Sequence, residues 1–515
     1  MARIAMTAGV RILVIVLMVT AAHLIEIGIY AVAYALGDGV LALGGFGGLA
    51  VAEPLDYLYF SIVSYTSLGL GDVFPSDHLR FITGANSITL TGGVSMGTGV
   101  MIGAGIFALT GQIAELAGPW FPLSFIAGGI VTGFSAYTYV KMSNAFPSAG
   151  GIAMILQKAY GPGAIAAAAA LLMALSMVIN ESLVARTFGA YVLRPFELEA
   201  GSILVPALGV GLIVFAYLVN ISGNRSVGLF SVVMAFLKIG GIAAFGIAAL
   251  VAGGFTFEPA SGSSQSIPIA GFTASIAFSI LAFKGFTTIT NSGAEIVDPH
   301  RNVGRTIIIS IAICVVVYLL VAFAVGSSLS LDEIVAAKDY SLAEAAEPAL
   351  GPYGFYFTIA LAVVATASGL LASVFAVSRM LAMLTDMKMI PHSHFGMSGP
   401  IREHTLVYTV VIAGVLTVLF DLSRIASLGA FFYLVMDILI HWGVFRRLRH
   451  EIDASGWVLI MAIALDALVL GVFGAIKLQS DPLIVVIAVA AIAAVFAYER
   501  VFLSRWTAEE KHGGH

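Results

Sequence analysis

Charge is what this chain has least of. Only 10% of its 515 residues are Asp, Glu, Lys or Arg, where a soluble domain carries about a quarter. Water therefore cannot be the solvent for most of a surface built from 60% hydrophobic residues. Cysteine is nearly missing as well: Cys314 stands alone, which excludes an intrachain disulfide and any cysteine-based metal cluster. No basic patch and no zinc-type spacing occurs, so nucleic-acid binding has no footprint. Nor is there a nucleophile–base pairing, a nucleotide loop or a metal-ligand motif. The chain does not read as an enzyme, and no cofactor or metal is expected. Most of the ten histidines fall in joints or tails and invite no ligand assignment.

What is present is a series of apolar runs. A membrane-spanning helix needs about 20 such residues, and the mean hydropathy of +1.02 leaves room for many. From about residue 84 onward the pattern predicts twelve helices, at 87–116, 121–141, 163–193, 203–221, 226–252, 270–294, 304–328, 353–383, 404–420, 425–446, 457–477 and 481–503. With residue 84 placed in the cytoplasm, the cytoplasmic joints and tail hold fourteen cations: Lys141, Lys158, Arg225, Arg301, Arg305, Arg379, Lys388, Arg402, Arg446, Arg447, Arg449, Arg500, Arg505 and Lys511. The outer side holds five, Arg186, Arg194, Lys338, Arg424 and Lys477. That bias obeys the positive-inside rule, and the opposite orientation would invert it. The expectation is an all-α integral membrane protein, multi-pass, in the plasma membrane. Residues 1–83 form one module, 84–503 a second, and 504–515 a cytoplasmic tail.

Two runs are interrupted near their middle. Gly99-Val100-Met101-Ile102-Gly103-Ala104-Gly105-Ile106-Phe107 sets three glycines into the first, and Phe283-Lys284-Gly285-Phe286 interrupts the sixth. An unpaired backbone amide or carbonyl in hydrocarbon costs several kcal/mol, so a broken helix persists only where protein or a cavity surrounds it. Breaks in corresponding positions of two halves point to the binding site of a solute carrier.

Further motifs lie at regular distance from these breaks. Gly103-Ala104-Gly105-Ile106-Phe107 is followed by Asn144-Ala145-Phe146-Pro147-Ser148-Ala149-Gly150-Gly151, then by Glu295-Ile296-Val297-Asp298-Pro299-His300-Arg301-Asn302-Val303-Gly304-Arg305. Ser378-Arg379-Met380-Leu381, with Ile390-Pro391 downstream, completes the set. In this order they resemble a permease of the amino acid–polyamine–organocation superfamily over residues 84–503. The resemblance implies the leucine-transporter-like fold, in which helices 1–5 and 6–10 are inverted repeats (5+5) and helices 11 and 12 an appendix. It also implies an amino acid substrate, alternating access and a proton or other coupling ion.

On that resemblance, unwound Gly103, Ala104, Gly105 and Ile106 would offer N–H groups and the positive end of a half-helix to a carboxylate. Carbonyls around Phe283, Lys284, Gly285 and Phe286 would receive the ammonium. The same glycines equally suit close helix packing, and both readings stay open. Lys238, inside the fifth helix, looks like the proton-coupling lysine of proton-driven relatives. The bland alternative is a lysine whose charged end reaches an interface. Lys284 departs from the family pattern, which has a small or hydroxyl residue there. Facing the site it would repel cationic substrates; turned away it would pair with Glu181 or Glu295. Glu295, Arg301, Arg305 and Arg379 read as a charged network closing an inner gate, and Glu181 with Arg186 as a structural pair.

Residues 1–83 do not fit the permease pattern. Thr66-Ser67-Leu68-Gly69-Leu70-Gly71-Asp72, after Pro54–Tyr65, resembles the pore helix and filter of a two-helix potassium channel. Thr66, Gly69, Gly71 and Asp72 match the filter, whose carbonyls replace an ion's water. Leu68 and Leu70 depart from it, and the inner helix expected after Asp72 is missing. A conducting pore would need a tetramer; a fused remnant would serve as an anchor or oligomerisation element. Two outcomes separate carrier from channel. Uptake of labelled amino acids should survive deletion of residues 1–83. Single-channel currents abolished by Gly69→Ala, with no uptake by the truncated protein, would favour the channel.

Overall fold

In hydrocarbon each backbone polar group must bond within its own segment, so the apolar runs become helices. The structure, a computed structural model, describes residues 27–41, 46–48, 51, 53–65, 73–75, 88–148, 151–161, 163–196, 202–221, 227–252, 269–386 and 401–512. It divides into two compact units, Met1–Thr89 with Gly223–Val232, and Leu90–Ser222 with Val233–His515.

The smaller unit holds a helix over 27–39 (α1), a strand Phe46–Gly48 (β1), a helix Pro54–Tyr65 (α2) and a strand Val73–Pro75 (β2). The strands pair antiparallel, Phe46 opposite Pro75. This short ladder is the one exception to the all-helical expectation among the described residues. Rings hold the unit together: Phe60 lies edge-on to both Tyr34 and Phe46, each at 4.9 Å. The Ser61 hydroxyl donates to Ile27 O at 2.7 Å. The filter-like residues Thr66, Gly69, Gly71 and Asp72 lie outside the described residues.

The larger unit runs α3 (Leu90–Met101), α4 (Ala104–Ala117), α5 (Phe121–Ala145), α6 (Gly151–Tyr160), α7 (Ala164–Leu193), α8 (Leu204–Ile221), α9 (Val227–Ala252), α10 (Ile269–Phe283), α11 (Thr287–Asn291), α12 (Pro299–Ser328), α13 (Leu331–Ala336), α14 (Ser341–Asp386), α15 (Ile401–Leu419), α16 (Leu422–Gly443), α17 (Gly456–Ser480) and α18 (Pro482–His512). The first residues of α9 are grouped with the smaller unit. Among the described residues eight segments are long and apolar enough to cross a membrane, and three further apolar helices are shorter.

The helices pack in a definite pairing. α4 lies against α10, α5 along α12, α7 along α14, and α8 against α15. Small residues make the seams, as membrane helices require when no hydrophobic force separates them from lipid. A Cβ on Gly189 of α7 would come within 2.3 Å of Val205 O on α8. α5 buries Gly128, Gly129, Thr132, Ser135, Thr138 and Tyr139 beside Phe121, Phe125, Val131 and Met142, so small and polar residues share its buried surface with large apolar ones.

The outer joint 329–352, expected to be an acidic loop, is partly helical. Ser330 caps α13, its Oγ accepting from Glu333 N while the Glu333 carboxylate accepts from Ser330 N at 2.7 Å. This reciprocal bonding satisfies two otherwise orphaned donors. It also holds the Glu333 carboxyl below the usual carboxylate range, through bonds from the Ser330 side chain and then its main chain. α14 begins earlier than expected and bends at Gly351, whose φ of +68° favours glycine.

The C-terminal half of α4 touches this joint by main-chain approach. A Cβ at Gly111 would stand 2.4 Å from both Cα and O of Lys338. Backbone cannot step aside cheaply, so Gly111→Ala should lower stability by about 1–3 kcal/mol. The check is thermal unfolding in detergent beside Gly133→Ala, whose Cβ meets nothing within 4 Å and which should be neutral or slightly stabilising.

Candidate functional site

The first interruption falls between α3 and α4, at Ile102 and Gly103. Gly103 has φ −114° and ψ −113°, and no helix includes it. The break is narrower than the sequence suggests: Gly105 and Ile106 already belong to the first turn of α4. The first N–H groups of a helix have no intrahelical partner, so those of α4 face the break together with its positive dipole end. Ile102 N is satisfied by Thr98 O at 2.8 Å.

The second interruption is a tightening rather than an unwinding. Lys284–Phe286 form a 3₁₀ turn between α10 and α11, and their flanks keep right-handed dihedrals, Phe283 at φ −82°, ψ −14° and Phe286 at φ −60°, ψ −28°. The Lys284 carbonyl already accepts from Thr287 N and, at 2.9 Å, from Thr287 Oγ1. The expectation of open carbonyls throughout Phe283–Phe286 is thus too broad. A 3₁₀ turn keeps short-range bonds where an unwound stretch would not.

The two interruptions touch. A Cβ on Gly285 would lie 2.9 Å from Met101 Cγ and 3.0 Å from Met101 N, and one on Gly105 would lie 3.1 Å from Ala282 Cα and O. The glycines divide the two roles that the sequence left open: Gly103 breaks the helix, while Gly105 and Gly285 let the main chains approach. Tyr318 of α12, fully buried, spans the junction. Its hydroxyl stands 2.5 Å from Met101 O and 3.0 Å from Ala282 O, the last carbonyl of α3 and the last but one of α10. Its ring leans on Phe283 at 4.9 Å and Phe125 at 5.5 Å.

Lys284 is buried and directed at α7, where its Nζ donates to Ser176 O at 2.8 Å and Ser176 Oγ at 2.7 Å. It lies 5.8 Å from the Tyr433 ring, and no ion pair of Lys284 appears among the described residues. Glu181 and Arg186 do not pair with each other. Five residues apart, they leave α7 about 140° apart in azimuth: Glu181 accepts from Ser373 at 3.1 Å on α14, and Arg186 donates to Thr417 O at 3.1 Å on α15. Lys238 is 5% exposed and makes no hydrogen bond or ion pair among the described residues.

Of the charged network expected from sequence, only part falls within the described residues. Arg301 and Arg305 are exposed and unpaired among the described residues, and the side chains of Glu295 and Arg379 lie outside them. What joins the motifs there is Asn144, whose Oδ1 accepts from Gly304 N at 3.0 Å and whose carbonyl meets His300 Nδ1 at 2.7 Å. Toward its C-terminus α4 is tied down, Lys338 to Glu115 at 2.7 Å and Gln112 Nε2 to Asp339 at 2.9 Å. Burial pushes the Asp339 carboxyl above its usual range.

Sequence reasoning passed over several buried polar groups. Tyr318 and Ser176 were hidden inside apolar runs. Asp437, His441 and Asp466, all fully buried, carried a signal that went unused, since an ionisable residue at membrane depth is a functional candidate by default.

The amino acid permease profile matches residues 88–498, and an ion channel profile matches residues 22–104. The second match runs on through α3, so the inner helix thought missing coincides in sequence with the first half of the broken helix. The Inner membrane transport protein YbaT of Escherichia coli (strain K12) is 32% identical over 386 residues, 73% of this chain and 87% of that protein. An uncharacterized protein of Methanocaldococcus jannaschii is 30% identical over 388 residues, 73% and 88% of the two chains. The Branched-chain amino acid permease BcaP of Lactococcus lactis subsp. cremoris is 26% identical over 250 residues, 44% of this chain and 52% of its own.

Removing the Tyr318 hydroxyl leaves two buried carbonyls to share no donor. Tyr318→Phe should therefore cost about 1–3 kcal/mol, read as a lowered unfolding midpoint in detergent. An unchanged midpoint would mean that other groups satisfy Met101 O and Ala282 O.

Proposed function

The chain belongs to the amino acid permease family, and from that premise we propose that it moves an amino acid or related small amine by proton-coupled alternating access in the plasma membrane. It is a multi-pass membrane transport protein, not an enzyme. The observation that carries the proposal is the contact between the two helix interruptions, where α4 turns its free N–H groups toward Gly103 beside Lys284–Phe286. Gly103, Ala104, Gly105 and Ile106 would hold the carboxylate. Main-chain oxygens near Phe283, Gly285 and Phe286, together with α3 carbonyls, would hold the amine. The Lactococcus relative's name supports the substrate class.

The helix pairing supports a 5+5 inverted repeat within twelve spans. A two-fold axis between repeats brings equivalent helices together, and α4 with α10, α5 with α12, α7 with α14 and α8 with α15 are the pairs such an axis would produce. The ties of α4 to Lys338 and Asp339 fit an outer face that is shut. Glu295, Arg301, Arg305 and Arg379 would pair when the inner face shuts instead. Lys284, held by hydroxyl and carbonyl oxygens of Ser176, places a cation beside the site and favours neutral or acidic substrates. Lys238, buried and without a partner among the described residues, is assigned the proton.

Melting of the purified protein against the standard amino acids should reveal a stabilising neutral one, and a proton gradient should drive its uptake into liposomes. Lys238→Ala should abolish gradient-driven uptake while sparing exchange. Uptake indifferent to pH would remove the coupling role, and strong lysine or arginine transport would remove the role given to Lys284.

One observation favours a second reading, the ion channel match. α2 (Pro54–Tyr65) stands where a pore helix would precede Thr66, Gly69, Gly71 and Asp72. In that reading residues 22–104 assemble with copies of themselves, as an oligomerisation element or as a cation pore.

A further inference from the structure

Asp437 and His441 sit one turn apart on α16, and Asp466 faces them from α17. All three side chains are shut off from solvent, and one ligand atom from each falls within 4.8 Å of the others. Their bonding is lopsided. Asp437 accepts from Ser135 Oγ at 2.6 Å and from Tyr139 Oη at 2.6 Å, and His441 Nδ1 meets Thr138 Oγ1 at 2.7 Å. By contrast both oxygens of Asp466 and His441 Nε2 have no hydrogen-bond partner among the described residues.

The unpartnered atoms converge. His441 Nε2 lies 3.5 Å from Asp437 Oδ2 and 3.6 Å from Asp466 Oδ2, too far for a hydrogen bond of ordinary length. A proton shared between Asp466 and His441 would draw them closer. Ligand bonds of ~2.0–2.1 Å in a tetrahedron put donor atoms about 3.4 Å apart, close to what is seen. Hydroxyls occupy the outer positions that orient metal ligands elsewhere: Thr138 holds the imidazole nitrogen that faces away from the cluster, and Ser135 and Tyr139 steady the carboxylate. Among the described residues no Lys or Arg pairs with either carboxylate, and His441 is the one basic group within 4 Å of them.

We propose that Asp437, His441 and Asp466 form a buried site for one divalent transition-metal ion of the Zn²⁺ class. The donor set of one imidazole and two carboxylates suits such an ion better than Ca²⁺, which takes six to eight oxygens, or Mg²⁺, which keeps an octahedron of oxygens. Bound there, the ion fastens α16 and α17 to α5. Tyr139, which bonds Asp437, also packs edge-on to Phe286 at 5.2 Å, so the site lies one side chain from the second helix interruption.

The test uses the full-length protein in detergent, loaded with Zn²⁺ and desalted, with metal measured by mass spectrometry. Wild type should retain about one equivalent more than Asp466→Asn, the difference removing surface and tail histidines from the count. A chelator should lower the wild-type melting midpoint and leave that of Asp466→Asn unmoved. Thr138→Val, which keeps all three ligands, should weaken Zn²⁺ binding roughly tenfold or more and serves if Asp466→Asn does not fold. Equal zinc in wild type and both variants would overturn the site. A wild-type midpoint that follows pH but ignores Zn²⁺ and chelator would assign the cluster to protons and overturn it too.

Discussion

A helix may break inside a membrane only if protein supplies the hydrogen bonds that the break gives up. Here one side chain does much of that. The Tyr318 hydroxyl reaches Met101 O at the end of α3 and Ala282 O near the end of α10, so the same donor serves both interruptions. The remaining conditions follow from it. The main chains must be close enough to share one hydroxyl, which demands glycine at 105 and 285. The tyrosine must stay upright, which Phe125 and Phe283 ensure by flanking its ring.

The buried charges obey a related rule. In a medium where an unpaired ion is very costly, few of them here are matched by opposite ions. They are matched by hydroxyls and main-chain carbonyls: Lys284 by Ser176, Glu181 by Ser373, Asp437 by Ser135 and Tyr139. These donors and acceptors come from helix seams already lined with small polar residues. An arrangement of this kind leaves the charges able to change partners, as a cycle between two states requires. Among the described residues Lys238, the orphaned oxygens of Asp466 and of Glu499, and the half-satisfied Glu181 are places where the matching is incomplete.

Much of the architecture was legible in the sequence, for a simple reason. Runs of about 20 apolar residues are set by the bilayer rather than by tertiary context. The breaks were legible because glycines at Gly103 and Gly285 interrupt otherwise uniform runs. Their depth of unwinding was not, since a 3₁₀ turn and an open loop share the same residues. α13 was announced by Ser330 and Glu333 three apart, a capping signal overlooked beneath the acidic composition of the joint. The supposed Glu181–Arg186 pair failed on helix geometry that spacing alone could have ruled out. Tyr318 was the hardest to foresee, because a tyrosine in an apolar run gives no hint of which distant carbonyl it will meet.

The central claim is that the interruption at Gly103 faces a small guest molecule rather than merely tolerating a bend. Cys314, the lone thiol, is buried, so cysteines placed singly at 102, 103, 104 and 107 in a Cys314→Ser background can be read without interference. Labelling by a small hydrophilic thiol reagent should be seen at 102–104 and should slow when the transported amino acid is added, with position 107, a turn further on, unlabelled in both conditions. No labelling at 102–104, or labelling that the amino acid leaves unchanged, would contradict the account.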